Sequence, residues 1–306
     1  MAHLLEIQQI DQSFRSGFWL TQAQILHDLD FKVPSRSVMG FLGPNGAGKT
    51  TLIHLIVGIK KPKRGQILLG GVNVLDPKAR CRIGYLPERP YFYEHLTGAE
   101  LLQYFGSLAG MSRAAIADRT PIVLKSVGMS HARDRELRNY SKGMLQRIGI
   151  AQAILHDPEF LVLDEPMSGL DPFGRREIRE LIQQLASEGR TIFFSSHIIP
   201  DVEAICDHVA LIQNGRLIGA GPIAQFLETA AEFVEITFGQ VSLESARGLG
   251  EWTALRESEG NVCGRLRTSQ GVDAVLTGLL AARARILEVK LVRPSLESLF
   301  VRQEKQ

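Results

Sequence analysis

The segment Gly43-Pro44-Asn45-Gly46-Ala47-Gly48-Lys49-Thr50 has four residues between its first and last glycines and ends in Lys-Thr. It follows the short apolar run Val38–Leu42, a predicted strand, and precedes Thr50–Ile59, an apolar stretch of helical length. In this context the glycines let successive backbone N–H groups turn towards phosphate oxygens, and the following helix adds its positive dipole end. The alternative is a glycine-rich turn with an exposed lysine, but all eight positions fit the motif and favour a phosphate-binding loop.

The loop predicts a role for individual side chains. We expect Lys49 to reach the β- and γ-phosphates of a nucleotide and the Thr50 hydroxyl to bind Mg²⁺. The predicted nucleotide-binding residues of this segment are Gly43, Pro44, Asn45, Gly46, Ala47, Gly48, Lys49, Thr50 and Thr51.

Two adjacent acids, Asp164 and Glu165, follow the apolar run Phe160–Leu163, which reads as a buried strand. Carboxylates at the end of such a strand are costly unless a cation or a reacting proton requires them, although a solvated pair is the simpler alternative. Beside a phosphate loop the functional interpretation is favoured. Asp164 is then expected to bind Mg²⁺ through water, and Glu165 to orient and deprotonate the attacking water.

The composition excludes several classes of protein. The 306 residues include 35 Lys and Arg against 33 Asp and Glu, so the net charge of +2 gives no electrostatic argument for a nucleic-acid partner. The three cysteines are far apart and lack CxxC spacing, which argues against disulfides or a zinc cage and favours a reducing compartment. No apolar run approaches the roughly 18 residues needed to span a bilayer, and no signal peptide is evident. We therefore expect a cytoplasmic α/β protein.

The order of predicted elements suggests two domains. Short strands at Leu4–Ile7 and Ile25–Val33 precede an alternation of strands and helices, which predicts parallel strands with crossover helices. We predict an α/β nucleotide-binding domain at residues 1–225, with a helical segment at about residues 88–158. Helices in this segment are predicted at Gly98–Leu108, Ala114–Val127 and Lys142–Leu155. Residues 226–306 show the order β-α-β-β-α-β, which predicts a small α+β domain of the split, ferredoxin-like kind. A last helix is predicted at Ser295–Val301.

A further segment, Asn139-Tyr140-Ser141-Lys142-Gly143-Met144-Leu145-Gln146-Arg147, begins a predicted helix with serine at its N-cap. It resembles the signature motif of ATP-binding cassette (ABC) ATPases, in which the residues matching Ser141 and Gly143 bind the γ-phosphate. Ser168-Gly169-Leu170-Asp171-Pro172 is similar to the D-loop of that family, and Ser195-Ser196-His197 to its switch histidine. The resemblance covers about residues 4–225 and implies a P-loop NTPase core with an N-terminal antiparallel β subdomain and a helical subdomain.

The resemblance adds further site residues. Glu165 and His197 are the implied catalytic residues, and Asp171 joins the nucleotide-binding set. Glu88 stands at the Q-loop position in place of the usual glutamine, where it is expected either to act as a hard Mg²⁺ ligand beside Thr50 and Asp164 or to swing away from the phosphates.

The signature differs from the family's sequence, and three aromatic residues compete for the adenine-stacking position. The signature reads Tyr140-Ser141-Lys142-Gly143-Met144 where the family has Leu-Ser-Gly-Gly-Gln, but its serine and second glycine are kept. Phe14 occupies the position of the adenine-stacking aromatic, and Phe18 and Trp19 are alternatives for it.

The family also implies partners. Two cassettes pair head to tail, and because this chain has one phosphate loop and one signature, a homodimer binding ATP and Mg²⁺ is expected. The segment Ser295-Leu296-Glu297-Ser298-Leu299-Phe300 is similar to the tail of ATPase subunits of ABC-2-type exporters. That similarity implies export through integral-membrane permease subunits, with this chain peripheral on the cytoplasmic side of the cell membrane.

Two alternatives remain open. The aromatic segment Pro90–Leu96 suits a wall of the permease-docking groove, or else it packs locally in the core. A soluble ABC ATPase acting on nucleic acid or ribosomes is the alternative function. The sequence shows no second cassette, long coiled-coil insert or zinc module of the kind such chains carry.

Overall fold

The computed structural model describes residues 2–16, 21–228, 233–258, 260–268, 271–292 and 296. The chain divides into two compact units, Met1–Ile223 and Ala224–Gln306. Within the part of the chain described here, no helix has the combination of length and apolar character that crossing a membrane requires.

Among the described residues the first unit contains ten strands and seven complete α-helices, and an eighth helix begins at its last residue. The strands are β1 (His3–Ser16), β2 (Thr21–Pro34), β3 (Val38–Leu42), β4 (Arg64–Leu69), β5 (Val72–Asn73), β6 (Ile83–Leu86), β7 (Phe160–Leu163), β8 (Thr191–Ser196), β9 (His208–Gln213) and β10 (Arg216–Pro222). The helices are α1 (Lys49–Ile56), α2 (Pro77–Arg80), α3 (Gly98–Leu108), α4 (Arg113–Ser126), α5 (Lys142–Ile154), α6 (Pro172–Ser187), α7 (Ile199–Ile205) and α8 (Ile223–Glu228), of which α8 crosses the boundary between the units.

Two sheets form the framework of this unit. An antiparallel sheet has the order β2-β1-β4-β5, and a six-stranded sheet has the order β10-β9-β3-β8-β7-β6. In the second sheet the five strands from β9 to β6 are parallel and β10 is an antiparallel edge. The predicted α/β core with an N-terminal antiparallel β subdomain is confirmed.

The central strands are apolar because both faces of the sheet are covered. Every residue of β3, β7 and β8 is buried, as expected for parallel strands between layers. The ring of Phe31 stacks on those of Phe41 and Phe193 within one core that joins β1, β2 and α1 to the central sheet. This packing fixes the strand ends from which the site is built.

The first two strands are longer than the predicted segments Leu4–Ile7 and Ile25–Val33. Each extends over 14 residues, and the pairing continues past polar positions through register shifts. Gln9 and Asp28 adopt left-handed backbone angles at these irregularities, with φ of 49° and 47°. Both predicted strands were too short, β1 mainly at its end and β2 mainly at its start, because the prediction followed only the apolar alternation.

A helical segment lies between β6 and β7. Helices α3, α4 and α5 contact one another, and their bounds match the predicted Gly98–Leu108, Ala114–Val127 and Lys142–Leu155 to within about one residue. Helix α3 begins at a capping box in which Thr97 and Glu100 satisfy each other's backbone N–H groups.

The second unit has its own sheet and core. Its elements are β11 (Phe233–Gly239), α9 (Leu243–Arg247), β12 (Ala254–Ser258), β13 (Asn261–Arg267), α10 (Val272–Ala281) and β14 (Arg285–Val292). The strand order β12-β13-β11-β14 is antiparallel throughout, and residues of both helices share one core with the sheet. This is the ferredoxin-like arrangement that the sequence predicts. Of the predicted last helix, Ser295–Val301, only Leu296 lies within the described residues.

Candidate functional site

The site is formed where β3, β8 and β7 end side by side. The phosphate loop follows β3, the pair Asp164 and Glu165 follows β7, and His197 follows β8. Because neighbouring parallel strands end at the same edge of a sheet, the crevice outside these ends is the usual ligand site of such folds. The structure therefore brings together the three segments selected from the sequence.

The phosphate loop depends on glycine at two places. Gly46 and Gly48 have φ of 81° and 104°, in the left-handed region that favours glycine. A Cβ at Gly48 would lie 2.6 Å from Cδ2 of Leu26, so the loop packs closely against β2. Gly48 is also the N-cap of α1, so the helix N-terminus opens at this loop.

Lys49 is buried, and its ammonium group has three close oxygen neighbours. Nζ donates to the carbonyl oxygens of Gly43 and Pro44 at 2.8 and 3.1 Å, and it lies 3.3 Å from Oε1 of Glu165. This cation is therefore paired with the acid that sequence analysis selected as the base.

Hydrogen bonds hold both the side chain and the backbone of Glu165. Its Oε2 accepts a hydrogen bond from Nδ1 of His197 at 2.9 Å, and its backbone N–H donates to Oγ of Ser195 at 2.8 Å. Its φ of 48° lies in the left-handed region, which is uncommon for a residue other than glycine. The carboxylate is thus both buried and fixed in direction.

Asp164 lies deeper and retains an unused oxygen. Its Oδ1 accepts from Oγ of Ser195 at 2.6 Å, and the Thr50 hydroxyl donates a further hydrogen bond to the carboxylate. Burial raises the pKa of Asp164 above its ordinary value, and these two hydrogen bonds offset only part of that effect. Within the described structure Oδ2 is buried without a hydrogen-bond partner. A buried carboxylate oxygen beside a threonine hydroxyl fits the oxygen ligands that Mg²⁺ requires.

A cavity of about 490 Å³ opens above these groups. Its lining residues are Ile25, Asn45, Gly46, Gly48, Lys49, Thr50, Thr51, Glu88, Glu165, Ser168 and His197. Six of the nine residues predicted from the segment 43–51 are in this set, and so is Glu88. Gly43, Pro44 and Ala47 are not in it, although the first two supply the carbonyl groups that hold Lys49. Asp164 reaches the cavity region through its contact with Thr50.

Phe14 lies outside this lining. The ammonium group of Lys60 lies over its ring, 4.2 Å from the ring centroid, in a cation–π contact. Ile25, which sequence analysis did not select, lines the cavity instead. Phe18 and Trp19, the alternatives to Phe14, lie outside the described residues.

The predicted signature residues line a different groove. Ser141 and Gly143 border a groove of about 300 Å³ together with Met144, Arg147 and Glu177. Ser141 caps α5 by accepting the Met144 N–H at 3.3 Å. A Cβ added at Gly143 would have no neighbour within 4 Å, so open space lies in front of this helix end.

Asp171 also caps a helix. Its side chain accepts the N–H of Gly174 at 2.7 Å at the start of α6, and it is not among the residues that line the large cavity.

Sequence reasoning did not select Ser195 as a site residue. It is fully buried and bridges the backbone of Glu165 to the side chain of Asp164. A serine directly after the apolar run 192–194 was the available signal, but its partners depend on the pairing of β8 with β7. Ser168, in the predicted D-loop, was likewise not selected and lines the cavity.

Known proteins resemble this chain in sequence and in fold. A protein-family model described as ABC transporter matches residues 26–168. An ABC transporter ATP-binding protein of Synechocystis is 40% identical over 305 residues, which are 99% of this chain and 85% of that protein. Nod factor export ATP-binding protein I of Cupriavidus metallidurans is 35% identical over 216 residues, or 69% of this chain and 71% of that protein. A solved structure described as the ATP binding subunit of an ABC transporter has a TM-score of 0.64 at 30% identity, covering 74% of this chain and 92% of that one.

Proposed function

The chain belongs to the family of ABC transporter ATP-binding proteins, and we propose that it powers export through a separate membrane permease as half of a head-to-tail homodimer. As a member of that family it is an ATP-hydrolysing subunit.

The phosphate-loop cavity and the signature groove are separate, and this separation supports a dimer. Lys49 and Glu165 line one cavity, whereas Ser141 and Gly143 border another that shares none of its lining residues. Each cassette thus presents one phosphate loop and, elsewhere, one helix N-terminus with open space before it. In a head-to-tail pair the γ-phosphate meets the α1 end of one copy and the α5 end of the other, and both helix dipoles attract its charge.

We assign the hydrolytic roles from the contacts in the cavity. Lys49 leaves Glu165 to contact the phosphates, and Glu165 then accepts a proton from the attacking water. His197 already donates to Oε2 of Glu165 and holds that carboxylate in its direction. Asp171, at the start of α6, positions the loop that faces the second copy.

Thr50 and Asp164 are the proposed residues that hold Mg²⁺, with Glu88 on the cavity wall beside them. When bound, the ion supplies positive charge that neutralises the phosphate oxygens. The unpartnered Oδ2 of Asp164 supports this assignment. Deprotonated Asp164 is the form that favours a cation, and a bound cation offsets the penalty of its burial.

Exposed aromatic residues support a membrane partner. Tyr91 is 92% and Tyr93 54% exposed, whereas Phe92 between them is half-buried against Phe105. The segment after Glu88 is therefore fixed to the protein by Phe92 and presents aromatic rings outward. Tyr104 extends this surface, because its ring meets that of Tyr93 edge-on with the ring centroids 5.6 Å apart. Exposed aromatic side chains of this kind are typical of interface anchors. We propose that the permease binds here, which places the chain on the cytoplasmic side of the membrane.

A mixing experiment tests the shared site. The variants Lys49→Ala and Gly143→Ala are each expected to lose hydrolysis, and Gly143→Ala is expected to fold normally because its added methyl group meets no neighbour. In an equimolar mixture, half of the dimers hold one intact site of two, so activity should return to about a quarter of wild type for independent sites. An inactive mixture of two well-folded variants would refute completion of the site by a second copy.

A detergent pull-down tests the partner. The wild-type chain is expected to co-purify with a polytopic membrane protein, and Tyr91→Ser/Tyr93→Ser to lose it. Ile122→Ser, which changes an exposed apolar residue on α4, is the matched control and should retain the partner. Co-purification with ribosomes or nucleic acid instead would support the alternative of a soluble ABC ATPase.

A further inference from the structure

Strand β14 lies at one edge of the second unit's sheet and carries exposed apolar side chains. Among the described residues it pairs only with β11. Leu287, Val289 and Leu291 are 46%, 49% and 48% exposed. A strand edge offers a row of backbone N–H and C=O groups for pairing with another strand, and apolar side chains favour that pairing.

The opposite edge of the same sheet is different. Strand β12 contributes Leu255 to the core, and its Arg256 and Glu257 are exposed. None of its described residues is an exposed large apolar side chain. The apolar surface is therefore a property of β14 and not of strand edges in this unit generally.

The sequence of β14 is complementary to itself. Its central segment reads Leu287-Glu288-Val289-Lys290-Leu291. When two copies run antiparallel about Val289, Leu287 faces Leu291 of the other copy, and Glu288 faces Lys290 of the other copy. Opposite charges and apolar residues placed directly across an antiparallel pair stabilise it, and the two-fold axis forms each contact twice.

We propose that a second copy of this chain pairs with β14 through its own β14, joining the two four-stranded sheets into one. This contact involves no residue of the nucleotide site, so it forms without nucleotide. It goes beyond the proposed head-to-tail pairing of the cassettes, which ATP drives. Two chains joined in this way keep their cassettes at a high effective concentration after the nucleotide has left.

A charge-reversal series tests the pairing on the full-length protein without nucleotide and in the presence of EDTA. Sedimentation equilibrium of the wild type is expected to show a dimer. Glu288→Lys places lysine opposite lysine twice, and Lys290→Glu places glutamate opposite glutamate twice. Each should weaken dimerisation by roughly tenfold to a hundredfold. The double variant Glu288→Lys/Lys290→Glu restores opposite charges and should restore the dimer.

Two controls keep the result specific. Glu257→Lys makes the same charge change on β12 and should leave the dimer intact, while circular dichroism establishes that every variant is folded. Glu288→Lys should still form the ATP-dependent dimer in a Glu165→Gln background, so failure of the two proposals can be told apart. A wild type that stays monomeric up to its solubility limit, or a double variant as weak as either single one, would overturn the proposal.

Discussion

The substitution Glu165→Gln tests the chemistry most directly because it changes little else. Glutamine has the same shape, so the hydrogen bond from the backbone N–H of residue 165 to Ser195 at 2.8 Å and the φ of 48° can be kept. The change removes the proton acceptor and the ion pair with Lys49 at 3.3 Å. The protein is expected to fold as before and to lose hydrolysis.

The expected loss of turnover follows from the rate contribution of a general base, and the expected ATP affinity follows from the lost attraction between Lys49 and Glu165. A positioned general base contributes about 10²- to 10⁴-fold to a rate, so the barrier should rise by about 3 to 5 kcal/mol. The lost attraction between Lys49 and Glu165 at 3.3 Å is about 5 kcal/mol before solvation is counted, at an effective dielectric constant of about 20. ATP no longer has to displace that carboxylate from Lys49, so the variant should bind ATP at least as tightly as the wild type.

The assay measures both quantities on one preparation. Phosphate release under saturating ATP gives the turnover, and titration with ATP in EDTA gives the affinity without hydrolysis. His197→Ala is the companion variant, since it removes the 2.9 Å hydrogen bond to Glu165 but leaves the carboxylate, and its loss of turnover should be smaller. Turnover of Glu165→Gln within tenfold of the wild type, or markedly weaker ATP binding, would refute the assigned role.

Three further predictions rest on buried or paired groups. Burial raises the pKa of Asp164 above its ordinary value of 3.8, so without nucleotide the free energy of unfolding should fall as pH rises from about 3.8 through the raised pKa. Urea unfolding across acidic pH measures this fall, and Asp164→Asn should abolish it. Ser195→Ala leaves the Glu165 N–H without its partner, so urea unfolding should show a loss of about 1 to 3 kcal/mol, whereas no loss would contradict the bridging role. The ion pair between Arg147 on α5 and Glu177 on α6 should position the signature helix; Arg147→Glu should lower turnover more than ATP affinity, and the exchange Arg147→Glu/Glu177→Arg should restore turnover.

Local sequence signals predicted the elements that hold the site. The phosphate loop follows a buried strand and opens α1, and Ser141 caps α5, as the sequence indicated. Such features are set by neighbours within a few residues, so a single segment of sequence contains them. The bounds of α3 to α5 were predictable for the same reason.

Contacts between distant segments were not predictable. Ser195 reaches Asp164 and Glu165 only because β8 and β7 pair in one register, and Ile25 reaches the cavity only because the first sheet packs beside α1. The true length of β1 depends on Gln9 adopting a left-handed conformation. Residue preference alone does not select that conformation, since glutamine rarely adopts it.

Because Lys49 pairs with Glu165 of its own chain, nucleotide entry exchanges one anion beside the lysine for another. Glu165 is attached to the same chain, so dilution does not weaken its competition for the lysine, and a ligand that lacks a terminal phosphate has less charge with which to hold Lys49. The carboxylate can therefore reclaim the ammonium group once that phosphate is gone. The Lys49–Glu165 pair in this way favours departure of the spent nucleotide, and it keeps the carboxylate of the proposed base neutralised until a new triphosphate arrives.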